Sequence, residues 1–377
     1  MLKVLAVYGT RPESIKMAPV IKAMQSRSDA IELVTCNTGQ HRDMVQHVET
    51  LFDIEPDYRL DVMQPNQSLA GLTGALLTAL DKVVSDHQPD WVLAQGDTAT
   101  VLVAALVAYY HQVKFGHVEA GLRSGDKWRP FPEEGNRRMA DPISDAHFAP
   151  TTANRAVLLK ENTPQQSVII TGNTVIDALQ HVAALPYDLS GGMLADVPQE
   201  GQLVLITAHR RESFGDTFQQ MCHAMAELAQ RFPDVAFVYP VHLNPNVQKP
   251  VHDILSDYAN ILLLPPVDYQ SMVQLQRRAT LVLTDSGGIQ EEAPAFGVPV
   301  LVMRDTTERA EGIDAGVAML VGTQRERIVE ETSRLLSDPD ALAAMQKRAN
   351  PYGDGQASAR IVAYLLGEPF QAFDPNA

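Results

Sequence analysis

The groups best placed for chemistry in this chain of 377 residues are acids and cations beside short glycine-bearing turns. Gly96-Asp97-Thr98 and Gly116-His117-Val118-Glu119-Ala120-Gly121 each end or follow a short apolar run. Pro130-Phe131-Pro132-Glu133-Glu134 sets two more acids in a proline-stiffened loop. If Asp97, Glu119 and Glu133 converge, mutual repulsion and partial desolvation raise their pKa values, which suits proton transfer near neutral pH. Taken alone, Asp97 reads as a helix N-cap. No His or Cys stands at ligand spacing beside the three acids, so no metal is expected there.

The cations lie elsewhere. Arg11 and Lys16 straddle the first helix start, where free N–H groups and the helix dipole favour anions. His209-Arg210-Arg211 follows an apolar run at 203–207, and Arg304 and Arg309 follow one at 299–303. Arg clusters on an acidic chain are mostly solvated, and a lone His at a strand end is more often structural. Beginning a basic triplet, His209 is nevertheless a candidate phosphate ligand or general acid. The segment LVLTDSGGIQEE at 281–292 joins a strand, a Ser286-Gly287-Gly288 turn and a helix. Glycines let backbone N–H groups approach a diphosphate, and Glu292 is spaced to accept hydrogen bonds from a ribose diol. The set points to a nucleoside diphosphate. No GxGxxG loop is present, so a nicotinamide or flavin dinucleotide is not expected.

Such groups need a scaffold that gathers strand ends. Apolar runs recur at 3–8, 31–36, 91–95, 114–118 and 167–170, and at 203–207, 235–239, 261–264, 281–284, 299–303 and 318–321. Short runs without polar alternation suit strands buried on both faces, hence parallel sheet. Intervening helical patterns make βαβ units. Five or six strands per half predict an α/β protein of two Rossmann-like, doubly wound parallel-sheet domains facing a cleft, with ligand at the carboxyl ends of the strands. Residues 1–170 form the acid–base domain, joined by the last helix and tail at 357–377. Residues 171–356 form the nucleotide domain, entered through a breaker-rich stretch at 186–201.

Thirty Lys and Arg against 46 Asp and Glu give a net charge of −16. That balance argues against nucleic acid and against anionic membrane surfaces as partners. No apolar run is long enough to span a membrane. The start lacks signal-peptide layout, and Cys36 and Cys222 cannot form a disulfide framework, so the cytoplasm is expected.

GTRPE at 9–13, GDT at 96–98, HVEAGLRSGD at 117–126, PEEGNR at 132–137, HRRESFG at 209–215, TDSGGIQEEAP at 284–294 and RDTTER at 304–309 occur in order. Together they resemble the non-hydrolysing bacterial UDP-N-acetylglucosamine 2-epimerases over nearly the whole chain. The resemblance implies a pair of Rossmann domains like those of B-type glycosyltransferases, a homodimer, and no cofactor. It also implies interconversion of UDP-GlcNAc and UDP-ManNAc for cell-surface polysaccharide precursors, through loss of the carbon-2 proton and of UDP, 2-acetamidoglucal, and re-addition. Carried over by motif, Asp97, Glu119 and Glu133 serve the proton transfers, and His209 with Arg11 and Lys16 holds or protonates the departing UDP. Ser286, Gly287 and Gly288 bind its phosphates, Glu292 the ribose, and Arg309 the phosphate or sugar side.

The chain departs from that pattern in places. Val267 and Met272 stand where Gln and Phe are common, so uracil would pack on an apolar or thioether contact. Ala310 stands where Pro is common after the RDTTER arginine. Gln40-His41-Arg42 matches a motif that forms a second, activating UDP-GlcNAc site in some members, but Asp43 follows it. A glycosyltransferase of the same architecture, or a non-catalytic nucleotide-sugar sensor, would share the diphosphate cradle. Three candidate acid–base residues facing a nucleotide-sugar site favour epimerisation over transfer, and their joint retention argues against a sensor.

Overall fold

A computed structural model describes residues 1–40, 42–64, 66–189 and 191–375, and the chain divides into two units, Met1–His181 with Tyr352–Pro375, and Val182–Pro351. In the first unit seven strands, counted among the described residues, form one sheet. They are β1 (Leu2–Tyr8), β2 (Ile31–Asn37), β3 (Tyr58–Arg59), β4 (Trp91–Gln95), β5 (Lys114–Val118), β6 (Ala146–Ala149) and β7 (Val168–Ile170). All pairings are parallel, in the order β3-β2-β1-β4-β5-β6-β7. Winding reverses between β1 and β4, the switch point at which such sheets open a ligand crevice.

Val4, Leu5, Ala6, Val7 and Tyr8 are all buried, as strands covered by helices on both faces must be. Leu5, Val7, Val92 and Ala94 pack with Val101, Ala104, Ala105 and Ala108 of the helix Ala99–Tyr110 and with Leu76 and Leu80 of the helix Leu69–His87. Alanines along Ala99–Tyr110 let it lie close to the sheet, and each buried Val or Leu contributes roughly 1.5–3 kcal/mol.

The second unit holds β8 (Leu203–Thr207), β9 (Ala236–Pro240), β10 (Ile261–Leu264), β11 (Leu281–Thr284), β12 (Val300–Val302) and β13 (Ala318–Leu320). This sheet is also parallel, ordered β10-β9-β8-β11-β12-β13, with its switch point between β8 and β11. Both units are therefore Rossmann-like.

Two features differ from the sequence reading. The first sheet has seven strands, not five or six. β3 is a two-residue edge pairing and β6 reads Ala-His-Phe-Ala, so neither carries the β-branched signature of a buried strand. The other difference is the border: residues 171–181 and 352–356 pack with the first unit. Asn173 N–H donates to the Tyr352 carbonyl at 2.7 Å, and the Asp177 carboxylate accepts from Ala357 N–H at 3.2 Å and Ser358 N–H at 2.7 Å. Asp177 thereby serves the free N–H groups that start the last helix, Ala357–Leu366. Tyr364 of that helix sets its ring edge-on to Trp91 and Phe148, which docks the helix on the first sheet.

Candidate active site

In the first unit the chain leaves β4 through Gly96, at φ 89°, into Asp97 and Thr98. Thr98, not Asp97, caps the next helix: its hydroxyl accepts Thr100 N–H at 3.1 Å. The Asp97 carboxylate is therefore released from capping. It lies 3.1 Å from Arg137 Nη2, and the Asp97 carbonyl accepts Asn136 Nδ2 at 2.9 Å. Both partners sit on the helix Glu133–Ala140. Burial raises the Asp97 pKa; Arg137 opposes that rise and Glu119 adds to it.

Glu119 follows β5 with φ 66°, a left-handed conformation uncommon for a side chain of its kind. The N–H groups of Glu119 and Ala120 both donate to the Phe148 carbonyl, at 3.0 and 3.2 Å, which holds the bend. Strain of this sort costs on the order of 1–3 kcal/mol and persists where the surroundings over-determine it. The Glu119 carboxylate receives Lys16 Nζ at 2.6 Å on both oxygens, Asn173 Nδ2 at 3.3 Å, and Gln95 Nε2. Donors from three separate elements thus fix one carboxylate.

Beneath these acids lies His117, fully buried. Its Nδ1 is 2.6 Å from Asp141 Oδ1 and its Nε2 is 2.7 Å from the Gly96 carbonyl. Both neighbours accept, so both ring nitrogens carry protons and the ring is an imidazolium. Burial pushes its pKa down, but Asp141 and the Gly96 carbonyl outweigh this and the net direction is up. Asp141, which also binds Arg123 Nη2 at 2.5 Å, is held down at about 2 despite its own burial, chiefly by His117. His117 pins the carbonyl one residue before Asp97. Glu13 performs a similar task, accepting Gly9 N–H at 2.8 Å, Thr10 N–H at 2.7 Å and the Thr98 hydroxyl. It ties the turn after β1 to the turn after β4.

The structure thus brings Asp97, Glu119 and Lys16 together. Glu133 begins the helix that carries Asn136 and Arg137, but it is half-buried and its carboxylate makes no hydrogen bond or ion pair among the described residues. The Arg11 guanidinium, half-buried at the start of the helix Arg11–Gln25, likewise has no such partner among the described residues. Of the Gln40-His41-Arg42 motif, His41 and the Arg42 side chain lie outside the described residues.

In the second unit the turns after β8 and β11 are locked together by Asp285, whose side chain is fully buried. Asp285 Oδ2 accepts His209 N–H at 2.7 Å and Arg210 N–H at 2.8 Å, and Arg210 Nε donates to the Asp285 carbonyl at 3.0 Å. The His209 ring is 41% exposed and stacks on His242 with centroids 5.3 Å apart. Burial lowers its pKa; Asp285 opposes this, while His242 and Arg210 add to it. His242 Nδ1 accepts Asn244 N–H at 3.1 Å, which steadies the loop after β9.

Ser286 stands at the N-cap position of the helix Gly287–Glu292 without a side-chain capping bond, and its N–H is held on Thr284 Oγ1 at 2.9 Å. Arg309 lies against the same turn: a Cβ on Gly287 would come within 3.2 Å of Arg309 Cζ. Its Nε donates to Glu291 Oε1 at 2.8 Å. Glu292 accepts Gln276 Nε2 at 2.8 Å, and its Oε1 is 3.5 Å from where a Gly288 Cβ would stand. Ser286, Gly287, Gly288, Glu292 and Arg309 therefore share one patch. Val267 and Met272 pack, half-buried, on the core formed with Leu275, Val282 and Val300.

The chain matches the family model for UDP-N-acetylglucosamine 2-epimerase over residues 22–366. It belongs to the UDP-N-acetylglucosamine 2-epimerase family. A UDP-N-acetylglucosamine 2-epimerase of Yersinia pestis is 49% identical over 371 residues, covering 97% of this chain and 98% of that protein. The crystal structure of a UDP-GlcNAc 2-epimerase from Neisseria meningitidis bound to UDP-GlcNAc is 44% identical, with a TM-score of 0.87, covering 97% of this chain and 100% of that one.

For this epimerase-family chain, residue types and spacing did not single out Glu13, Gln95, His117, Asp141, Asn173 or Asp285. Glu13, His117 and Asp285 lie inside the matched motifs, and that was their only signal. Most of their partners are tens of residues away, as with His209 and Asp285 at a separation of 76.

Proposed function

We propose that the protein interconverts UDP-GlcNAc and UDP-ManNAc by elimination and re-addition of UDP. The observation that carries the reading is the pair Asp97 and Glu119, brought together at the ends of β4 and β5 under opposed constraints. Burial lifts Asp97 toward the pH at which a carboxyl exchanges protons, while Lys16, Gln95 and Asn173 hold Glu119 in place. Inverting carbon 2 needs a base to remove its proton and an acid to return one on the other face. The electron pair of the C–H bond becomes the carbon 1–carbon 2 double bond of 2-acetamidoglucal as the carbon 1–oxygen bond breaks toward UDP. Re-addition reverses these steps, so proton and electron counts close without net oxidation. Glu133 is the third acid of this set.

The departing diphosphate gains negative charge, and donors aimed at it lower the barrier. His209, Arg309 and the N–H groups of Ser286, Gly287 and Gly288 serve that role in the second unit, with Glu292 on the ribose and Val267 and Met272 under the uracil. Arg11 and Lys16 supply positive charge from the first. Family membership and the UDP-GlcNAc bound to the Neisseria meningitidis enzyme support the substrate. On the same reading the protein works as a cytoplasmic homodimer that feeds cell-surface polysaccharide synthesis, and Gln40, His41 and Arg42 bind a second, activating UDP-GlcNAc.

Proton NMR of the purified protein with UDP-GlcNAc in deuterated water tests the proposal. A growing UDP-ManNAc signal with deuterium at carbon 2 is expected. Free UDP with ManNAc would mean hydrolysis, and an unchanged spectrum with bound substrate would remove the epimerase reading.

A further inference from the structure

We infer that Asp285 is a positioning residue for His209, accepting Nδ1–H of the imidazole and leaving Nε2 to exchange a proton with the leaving diphosphate. The inference rests on the epimerase reading. Asp285 is fully buried at the end of β11, and its two oxygens are treated differently. Oδ2 is anchored by the N–H groups of His209 and Arg210. Oδ1 is buried with no hydrogen-bond partner among the described residues, and it lies 3.6 Å from His209 Nδ1. A buried carboxylate oxygen without a donor is costly, and the group it faces is a donor one short movement away. Closing 3.6 Å to an N–H···O length of about 2.9 Å needs a ring shift of about 0.7 Å. Because Oδ2 holds the backbone of His209 itself, carboxylate and ring share one frame.

The charged and titratable groups that face His209 are Asp285 from the β11 end, His242 from the β9 end and Arg210 beside it. Asp285 alone favours the imidazolium; His242, Arg210 and burial all oppose it. With Nδ1–H on Asp285, neutral His209 presents a bare Nε2. Once protonated there, it gives that proton to the phosphate oxygen released from carbon 1 and recovers it when UDP re-adds.

The test is the titration of His209 in the full-length protein, by long-range proton–nitrogen NMR with the signal assigned through His209→Gln. In the unaltered protein neutral His209 is expected to carry its proton on Nδ1. In Asp285→Asn the amide carbonyl still accepts the two backbone N–H groups, but its NH2 donates to Nδ1 and moves the proton to Nε2. The His209 pKa then falls by about one pH unit, as loss of an adjacent opposite charge requires. The kcat falls by about 10²-fold with KM for UDP-GlcNAc little changed. A proton on Nε2 in the unaltered protein, or an unmoved titration in a folded Asp285→Asn, would overturn the inference. If that variant does not fold, the tautomer of the unaltered protein decides. These spectra need no turnover, so failure here is separate from failure of the epimerase reading, which the activity of the unaltered protein settles.

Discussion

Replacing Asp97 by Asn removes a titratable proton and changes little else, so it separates chemistry from structure. Two effects on stability oppose each other. Burial raises the folded-state pKa of Asp97 above its unfolded value. A carboxyl raised in this way contributes stability that is full below the unfolded pKa and lost as pH rises through the folded pKa. The loss is ~1.4 kcal/mol for each pH unit between the two. Asn stays neutral throughout, so at pH 7 the variant escapes that loss. Against this, Arg137 is 6% exposed and trades a charge-assisted bond at 3.1 Å for a neutral one, a difference of about 1 kcal/mol. Glu134, 3.5 Å from Arg137 Nε, still balances its charge. The net change is within about 1 kcal/mol of zero at pH 7, and unlike the unaltered protein the variant does not lose stability as Asp97 ionises. Activity is another matter: loss of an acid–base group costs about 10²–10⁴-fold in kcat, or ~3–5 kcal/mol in the barrier. Urea melts from pH 4 to 8 and initial rates by NMR measure both. Turnover within about threefold of normal would remove Asp97 from the proton transfers. Destabilisation beyond about 3 kcal/mol at pH 7 would mark its carboxylate as an anchor for Arg137, against the reasoning given.

Gly287→Ala is expected to change stability by less than about 1 kcal/mol, because its φ suits any residue while the new methyl meets Arg309 Cζ at 3.2 Å. It should nevertheless raise KM for UDP-GlcNAc about tenfold, since the new methyl displaces the Arg309 guanidinium; thermal melts and saturation kinetics report the two. Asp141→Asn leaves His117 as a buried cation without its counter-charge and Arg123 with Glu161 alone, and should cost about 3–5 kcal/mol in urea melts at pH 7. In the unaltered protein the contribution of Asp141, its pKa depressed to about 2, is present above the unfolded value and lost as pH falls from about 4 to about 2. Acid melts of the variant should lack that component. Gly121→Ala combines φ 88° with a Cβ only 2.5 Å from the Asn154 carbonyl oxygen, and a loss of about 2–3 kcal/mol by calorimetry is expected.

Both sheets are legible in the sequence because strands such as residues 4–8 and 203–207 are unbroken apolar runs, a pattern only a doubly covered sheet requires. The turns after those strands are equally plain, since Gly96, Gly121 and Gly287 mark places where backbone bends or a neighbour comes close. What stays hidden is which side chain each turn is bonded to. Asp97 and Thr98 are both good caps, and only the structure assigns the cap to Thr98. His117 reads as one more strand residue until β5 is set beside β4, which brings the Gly96 carbonyl onto Nε2. Asn173 is 54 residues from Glu119, and the donor becomes visible only when the segment that follows β7 folds back to Tyr352. Local pattern fixes elements, whereas these pairings depend on strand order.

A chain of net charge −16 presents no general attraction to a diphosphate, so its cations must act by placement. In the second unit they are held before any ligand arrives: Arg309 on Glu291, Arg304 on Glu212 and Glu308, and Arg210 on the Asp285 carbonyl. Ordering a free Arg side chain costs up to about 2 kcal/mol, and here that cost is met in folding rather than in binding. Glu308, held down at about 2 by Arg304 and Arg309 against its own burial, stays ionised across the physiological range, so the clamp does not relax with pH. Each internal pair weakens the outward field of its arginine and in exchange fixes the direction of the N–H groups that remain. On the proposed function, the result disfavours polyanions, which are drawn by long-range field, and favours a small diphosphate that fits among oriented donors at the strand ends.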